Sequence, residues 1–141
     1  MLHASSLSQV VAFELLNSWG FDGFSNHIQE IEAFYQRRRD LMLEAAEKHL
    51  KDLCEWSVPE GGMFLWFLVP SITDTWDMLL KRGMEKNIML LPGTGFMPAG
   101  TKGGRRQPSS HMRAAFSVAK ESDFDVAFER LAHLIREEQS L

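Results

Sequence analysis

The spacing of apolar residues changes near Cys54, and this change constrains the fold more than any other feature of the sequence. Before Cys54 the apolar side chains recur at helical spacing. After it they come in short runs bounded by proline and glycine, which is typical of strands. The sequence predicts two helices, then strand, strand, helix, strand, strand and a last helix. This order belongs to the α+β class.

The helical part contains two predicted helices. The first covers residues 6–18, with Ser6 and Gln9 at the spacing of a capping box, and it ends at Gly20. The second stripe of apolar residues runs from Ile28 to Leu53, which is longer than the usual globular helix. We interpret this second helix as one that connects two bodies.

A run of three arginines, Arg37–Arg39, lies on the second stripe and has the composition of a nucleic-acid-binding patch. Acidic residues flank the run on both sides, which predicts a solvated helix face instead. The net charge of −4 and the pI near 5.7 also argue against a nucleic-acid or anionic-membrane surface. The longest apolar run, Met63–Val69, is far shorter than a membrane span. We therefore expect neither a nucleic-acid nor a membrane partner.

The cysteine and histidine content limits the chemistry that the chain can perform. Cys54 is the single cysteine, which excludes an internal disulfide and fits a reducing compartment, so we expect a cytoplasmic location. The five histidines are scattered without a pair at ligand spacing, and a metal site is not expected. Cys54 has no convincing histidine and acid partners, so we interpret it as a small buried hydrophobe.

The segment from His111 to Val118 alternates, as a strand with one buried face does. One set of alternate residues is predicted to face the core (Met112, Ala114, Phe116 and Val118). The other set carries Arg113 between small residues. Two interpretations of Arg113 remain open from this pattern alone. Its guanidinium points to water, or its planar fork receives a carboxylate in a cleft.

Three blocks of sequence follow one another along the chain: "PEGGMFLW" (Pro59–Trp66), "NIMLLPGTGF" (Asn87–Phe96) and "HMRAAFS" (His111–Ser117). Together they resemble the C-terminal third of the fold-type I, pyridoxal-phosphate-dependent aminotransferases. The nearest subgroup is that of the aromatic, 2-aminoadipate and kynurenine aminotransferases, especially its fungal aromatic members. The leading segments "HASSLSQ", "GFDGFSNHI" and "FYQRRRDLM" are similar to that subgroup too, so the resemblance covers essentially the whole chain.

The resemblance implies an α+β small C-terminal domain with a short, mostly antiparallel sheet covered by helices. Two helices, including a long connecting one, should precede the sheet. Residues 1–20 would be the tail helix of a missing large domain, and residues 21–141 the small domain with its connecting helix. The resemblance also implies a homodimeric, pyridoxal-phosphate-dependent transaminase. Its substrates would be amino acids and 2-oxo acids: an aromatic or 2-aminoadipate-like acid and 2-oxoglutarate.

The resemblance also implies roles for individual residues. Arg113 would bind the substrate α-carboxylate, while Phe64 and Phe96 would line the substrate side-chain pocket. For Phe64 a place in the apolar core is an equal alternative. We interpret Gly93 as a turn residue that lets the backbone pass close to the site. The glycine- and arginine-containing segment 97–110 is a candidate either for disorder or for a lid.

The sequence departs from the family pattern in one respect. The family carries its Schiff-base lysine well before the arginine that corresponds to Arg113, and none of the lysines of this chain stands at that position, so we expect no catalytic or cofactor-binding residue in this chain. The chain alone should be inactive, and its pyridoxal phosphate would be held by the missing large domain. The alternatives are an aminotransferase-like sensor domain of a bacterial transcription regulator and a free-standing carboxylate-binding module.

Overall fold

The computed structural model describes residues 4–98 and 106–140. By its internal contacts the chain forms two compact units, Met1–Gln36 and Arg37–Leu141, which are described separately. The expected division after residue 20 concerns which residues belong to a larger neighbouring domain, and it stays a prediction.

Helix α1, Ser6–Leu50, contributes to both units. Gly20 has φ 61° and ψ −172°, which are not helical values, so α1 consists of two helices joined at this residue. The left-handed φ explains the glycine, since other residues reach that conformation only at a cost. The two helices predicted from the sequence are therefore present on either side of Gly20.

The first unit is helical and carries large apolar side chains on its surface. Their exposure ranges from 39% at Ile28 to 85% at Phe21. Trp19 and His27 form a ring contact, with 4.7 Å between the ring centroids. Surface helices normally bury one apolar stripe, whereas these apolar side chains are exposed. The exposed side chains are Leu7, Val10, Val11, Phe13, Leu15, Leu16, Phe21, Phe24, Ile28, Ile31 and Phe34.

The second unit contains a four-stranded antiparallel sheet with strands β1 (Glu55–Trp56), β2 (Phe64–Leu68), β3 (Leu91–Pro92) and β4 (His111–Ala115). The order of the strands in the sheet is β1-β2-β4-β3. A π-helical turn, Met78–Gly83, precedes β3, and a 3₁₀ helix, Gly93–Phe96, follows it. Helix α2, Asp123–Gln139, closes the unit. These elements confirm the predicted α+β class with a short antiparallel sheet and helices.

One face of the sheet forms the core with α2 and the end of α1. Leu65 and Phe67 of β2 and Met112 of β4 are fully buried. The ring of Phe67 meets that of Phe128 edge to face, with centroids 5.5 Å apart. Each fully buried side chain of this size contributes about 1.5–3 kcal/mol through the hydrophobic effect. This core fixes β2 and β4 side by side and so determines what their opposite face presents.

The strands that the sequence predicts at His111–Val118 and at Ile88–Leu91 both contribute fewer residues to the sheet than predicted. Val118 is 89% exposed, so its assignment to the core is wrong, whereas Met112, Ala114 and Phe116 are buried as predicted. The strand predicted from Ile88 pairs with β4 only at Leu91 and Pro92. Ile88 is held elsewhere, because its N–H donates to the carbonyl oxygen of Gly83 at 2.8 Å and closes the preceding turn.

The prediction of a solvated arginine run is wrong for Arg38, whose exposure is 7%. Its Nε donates to the carbonyl oxygen of Phe116 at 2.5 Å, and its Nη2 donates to that of Ala119. Its guanidinium also lies 3.8 Å from the Glu121 carboxylate and 5.5 Å from the centre of the Phe124 ring. Arg38 thus binds the segment that leaves β4, which is the physical reason why the chain turns away before Val118.

Candidate functional site

Arg113 lies in the middle of β4 on the face of the sheet that is opposite the core. Its neighbours in the chain, Met112 and Ala114, are fully buried, whereas Arg113 itself is half-buried. Across the sheet, Arg113 is in register with Trp66 of β2 on one side and with Leu91 of β3 on the other. Because paired residues share a face, Trp66 and Leu91 flank Arg113 on the open side of the sheet.

Two phenylalanine rings contact the guanidinium of Arg113. Its Cζ lies 3.9 Å from the centre of the Phe64 ring and 4.5 Å from the centre of the Phe96 ring. Phe64 comes from β2, which flanks β4 on one side, and Phe96 comes from the 3₁₀ helix that follows β3, the strand on the other side of β4. The structure therefore brings together all three residues that the sequence singled out. Phe64 is half-buried on the open face and is not a core residue.

The positive charge of Arg113 has no acidic partner in the described part of the chain. Within residues 4–98 and 106–140, no carboxylate oxygen lies within 4.0 Å of its guanidinium, and no hydrogen bond from its side chain is formed. Arg37, Arg38, Arg39, Arg82 and Arg106 each lie within that distance of a carboxylate. Within these residues, the N–H groups of the Arg113 side chain therefore donate no hydrogen bond.

A close approach of backbones holds the 3₁₀ helix that carries Phe96. A Cβ atom at Gly93 would lie 2.5 Å from Oγ of Ser109 and 2.8 Å from Cβ of His111, so no larger residue fits there. Thr75 binds the same stretch of chain, since its Oγ1 donates to the carbonyl oxygen of His111 at 2.8 Å. The structure thus supports the interpretation of Gly93 as a residue that allows close passage of the chain.

The segment 97–110, predicted as a candidate lid, lies partly outside the described residues, which exclude 99–105. Its described C-terminal end is anchored by several contacts. Arg106 forms an ion pair with Asp74 at 2.6 Å, and its guanidinium lies 4.8 Å from the centre of the Trp76 ring. Thr94 Oγ1 donates to the carbonyl oxygen of Gln107 at 2.9 Å. These contacts hold residues 106–107 close to the helix that carries Phe96.

In the second unit, the described cysteine is buried and four of the described lysines form ion pairs. Burial raises the pKa of the Cys54 thiol to about 12, so the thiol stays protonated and unreactive. Lys48, Lys51, Lys81 and Lys86 all form ion pairs with acidic residues. Among the residues that the structure describes, no group of three or more histidine, cysteine or acidic side chains could hold a metal ion.

One aromatic residue of this face was missed by the sequence prediction. Trp66 is 38% exposed, and its ring meets that of Phe96 edge to face, with centroids 4.9 Å apart. Trp66 stands in the block "GGMFLW", but its place beside Arg113 depends on the pairing of β2 with β4. The alternation of "FLWFL" around Leu65 and Phe67 is the signal that could have placed Trp66 on the face of Phe64.

A separate cleft of about 390 Å³ lies between the end of β4 and α2. Apolar side chains form most of it, among them Met42, Leu90, Phe124 and Phe128. Arg113, Phe64 and Phe96 do not line this cleft. The cleft and the arginine site are therefore different surfaces of the second unit.

Comparison with known proteins shows which proteins the chain is similar to. The mouse mitochondrial kynurenine/alpha-aminoadipate aminotransferase is 43% identical over 136 residues, which are 96% of this chain and 31% of the mouse protein. The structure of an alpha-aminoadipate aminotransferase from Thermus thermophilus superposes with a TM-score of 0.80 at 24% identity, covering 99% of this chain and 33% of that protein. No family model matches the chain.

A third comparison extends the similarity to an archaeal enzyme. The kynurenine aminotransferase of Pyrococcus horikoshii is 36% identical with a TM-score of 0.72, over 85% of this chain and 28% of that protein. The chain is homologous to the C-terminal part of the fold-type I, pyridoxal-phosphate-dependent aminotransferases. Within that class its relatives are the kynurenine/aminoadipate and aromatic aminotransferases. It spans about a third of the length of the curated relatives that it matches.

The same comparisons confirm the resemblance seen in the sequence and the fold that it implied. Among the described residues, no helix has both the length and the apolar character needed to cross a membrane.

Proposed function

We propose that this chain supplies the substrate-carboxylate-binding part of an aminotransferase. The enzyme would move an amino group between an aromatic or 2-aminoadipate-like amino acid and 2-oxoglutarate. The observation that carries the proposal is the guanidinium of Arg113, which contacts two aromatic rings and has no acidic partner among the described residues. The names and folds of the relatives support the reaction class.

The geometry of Arg113 suits the α-carboxylate that amino acids and 2-oxo acids share. A guanidinium is planar and binds a carboxylate through two parallel hydrogen bonds, which fixes the position and the orientation of the acid. Phe64 and Phe96 shield the guanidinium from water, and shielding strengthens its attraction for an anion. Where such a pair is buried, removing one partner costs about 3–5 kcal/mol, or roughly 10²- to 10⁴-fold in affinity, and the half-buried position of Arg113 lowers this cost.

Phe64, Phe96 and Trp66 would form the walls against which the substrate side chain packs. Aromatic pairs gain about 0.5–1.5 kcal/mol beyond the burial of their area. This gain favours a ligand that carries an aromatic ring close to its carboxylate. The proposed preference for aromatic acids rests on these three rings and on the names of the relatives.

The described residues do not by themselves form a pyridoxal phosphate site. Around Arg113 they provide aromatic rings and the ring of His111, but no lysine and no acid that could meet a pyridine nitrogen. The cofactor supplies the electron sink for amino-group transfer when it is bound. We propose that a large domain outside this chain holds the cofactor, that the complete enzyme is a homodimer, and that this chain alone does not catalyse transamination.

Calorimetric titration of the chain with L-phenyllactate, a stable aromatic 2-hydroxy acid, tests the carboxylate site. We expect saturable binding by the wild-type chain, and we expect the binding to be lost in Arg113→Gln, which keeps a polar side chain of moderate length. The amide of the same ligand, L-phenyllactamide, serves as the matched control because it lacks the anion. Equal binding of acid and amide, or binding unaffected by Arg113→Gln, contradicts the proposal.

Absorbance of the purified chain mixed with pyridoxal phosphate tests the proposed lack of activity. We expect no internal aldimine band and no transamination of L-kynurenine or L-phenylalanine. A stoichiometric adduct at one lysine after borohydride reduction would show that this chain carries its own Schiff-base lysine.

The two alternative functions stay predictions, since no contact in the structure favours a transcription-regulator sensor domain or a free-standing carboxylate-binding module. The cytoplasmic location also stays a prediction and rests on the single cysteine. The mouse, rat and cattle relatives carry "mitochondrial" in their names. Cell fractionation with an antibody against the chain distinguishes the two compartments.

A further inference from the structure

Trp66 lies beside Arg113, and the sequence pattern assigns it no role. It lies on β2 directly across from Arg113 and on the same face of the sheet. Its ring touches Phe96, with centroids 4.9 Å apart and ring planes at 78°. Phe96 in turn lies against the Arg113 guanidinium. Trp66 therefore reaches across β4 to the ring that covers Arg113.

Phe96 needs such support because its own surroundings are open. It sits at the end of a four-residue 3₁₀ helix and is 47% exposed. Among the described residues, its ring contacts are those with Trp66 and with Arg113. A half-exposed side chain can rotate freely unless a neighbour restricts it. Both contacts come from paired strands, Arg113 from β4 and Trp66 from β2, and the contact with Trp66 is the edge-to-face contact between two rings.

We propose that Trp66 is a positioning residue for the carboxylate site. It holds Phe96 against Arg113, so that the guanidinium stays between the rings of Phe64 and Phe96 with its N–H groups free for an incoming carboxylate. This inference rests on the proposed function of Arg113. It adds that the site is ordered before the ligand arrives, and such order increases affinity because less freedom is lost on binding.

Nuclear magnetic resonance of the Arg113 side chain tests the inference without relying on catalysis. The side-chain protons of Arg113 should show upfield ring-current shifts from the two phenylalanine rings. In Trp66→Leu we expect the part due to Phe96 to be lost and L-phenyllactate to bind about 3- to 10-fold more weakly. Trp66→Phe, which keeps an aromatic edge, should restore most of both effects.

Trp56→Leu is the matched control. Trp56 also makes an edge-to-face contact, with Phe67 at 5.6 Å between centroids, but it belongs to the core side of the sheet. Its substitution should reduce stability while leaving the Arg113 shifts and the affinity of the folded protein unchanged. If Trp66→Leu behaves in the same way as this control, Trp66 is only structural and the inference is wrong.

A reciprocal variant covers the case in which Trp66→Leu does not fold. In Phe96→Leu the indole N–H signal of Trp66 should shift, and an unchanged signal overturns the proposed contact. The two proposals fail separately. If wild-type chain does not bind L-phenyllactate, the function of Arg113 is wrong, whereas unchanged Arg113 shifts in Trp66→Leu refute only the positioning role.

Discussion

Arg38 and Arg113 are two arginines of the second unit with opposite surroundings. Arg38 is 7% exposed, donates to two backbone carbonyl groups and lies near the Glu121 carboxylate. Arg113 is half-buried, lies against two aromatic rings and has no acceptor among the described residues. One guanidinium is satisfied by the fold, and the other has its hydrogen-bonding groups free.

This difference is the one expected between a structural arginine and an arginine with the carboxylate-binding role that we propose for Arg113. A buried charge is tolerated when hydrogen bonds and an opposite charge compensate for its lost hydration. Arg38 meets that condition from within the chain. Arg113 meets it in part through its aromatic neighbours and its remaining contact with water, and in the proposed function a substrate carboxylate would supply the opposite charge. Stability and ligand binding should therefore respond in opposite ways to substitution of the two residues.

Arg38→Met should produce the largest loss of stability. Methionine retains most of the apolar stem but leaves the carbonyl groups of Phe116 and Ala119 without their donor. We expect the free energy of unfolding to fall by roughly 3 kcal/mol, the cost of stranding buried polar partners. Urea denaturation followed by circular dichroism measures this change.

Arg37→Met is the matched control for this variant. Arg37 is next to Arg38 on the same helix, but its side chain is 71% exposed and forms a surface ion pair with Glu121 at 3.0 Å. Surface ion pairs contribute little, so a change below about 1 kcal/mol is expected. If both variants lose equal stability, the burial of Arg38 does not have the structural role assigned to it.

Arg113→Met should show the reverse behaviour, with a small effect on stability. The substitution removes two cation–π contacts, each worth about 0.5–1 kcal/mol at a partly exposed site, and methionine in turn packs against the same rings. We expect the unfolding free energy to change by less than about 1 kcal/mol, with no detectable binding of L-phenyllactate. A loss of stability as large as that of Arg38→Met would mean that Arg113 is a structural residue instead.

The two arginines also show what the sequence could predict. Arg113 could be placed correctly because alternation along a single strand is a local pattern, and Met112, Ala114 and Phe116 mark the buried face. The burial of Arg38 could not be predicted in this way, because its acceptors lie 78 and 81 residues further along the chain. The acids near Arg38 in the sequence suggested a solvated face, and the tertiary contacts overrode that signal.

The same distinction applies to the rest of the site. The family resemblance of short sequence blocks implies pocket roles for Phe64 and Phe96, and in the structure both rings lie against Arg113. Trp66 required the register of β2 with β4, which no local pattern provides. The early end of the strand at Ala115 likewise depends on the distant Arg38. Local periodicity therefore predicts faces of elements, while partners across elements depend on the assembled fold.

The smallest predicted effect concerns a surface cluster that joins α1 to α2. Hydrogen bonds from Lys48 and His49 lower the pKa of the Asp125 carboxyl below its usual range. A lowered pKa in the folded state stabilises the protein above the unfolded value of about 3.9, and this contribution is lost as the pH falls through the folded pKa. Asp125→Asn should therefore be slightly less stable than wild type near neutral pH.

That small difference should disappear on acidification, because the wild-type carboxyl then becomes protonated and neutral as well. Urea denaturation of both proteins between about pH 7 and pH 3 measures it. Glu129→Gln, on the same helix but without an ion pair among the described residues, is the control and should show no such convergence. If the difference in unfolding free energy between wild type and Asp125→Asn is independent of pH, the exposed cluster does not stabilise the fold through its charge. The polar contacts between α1 and the rest of the second unit would then depend mainly on Arg38.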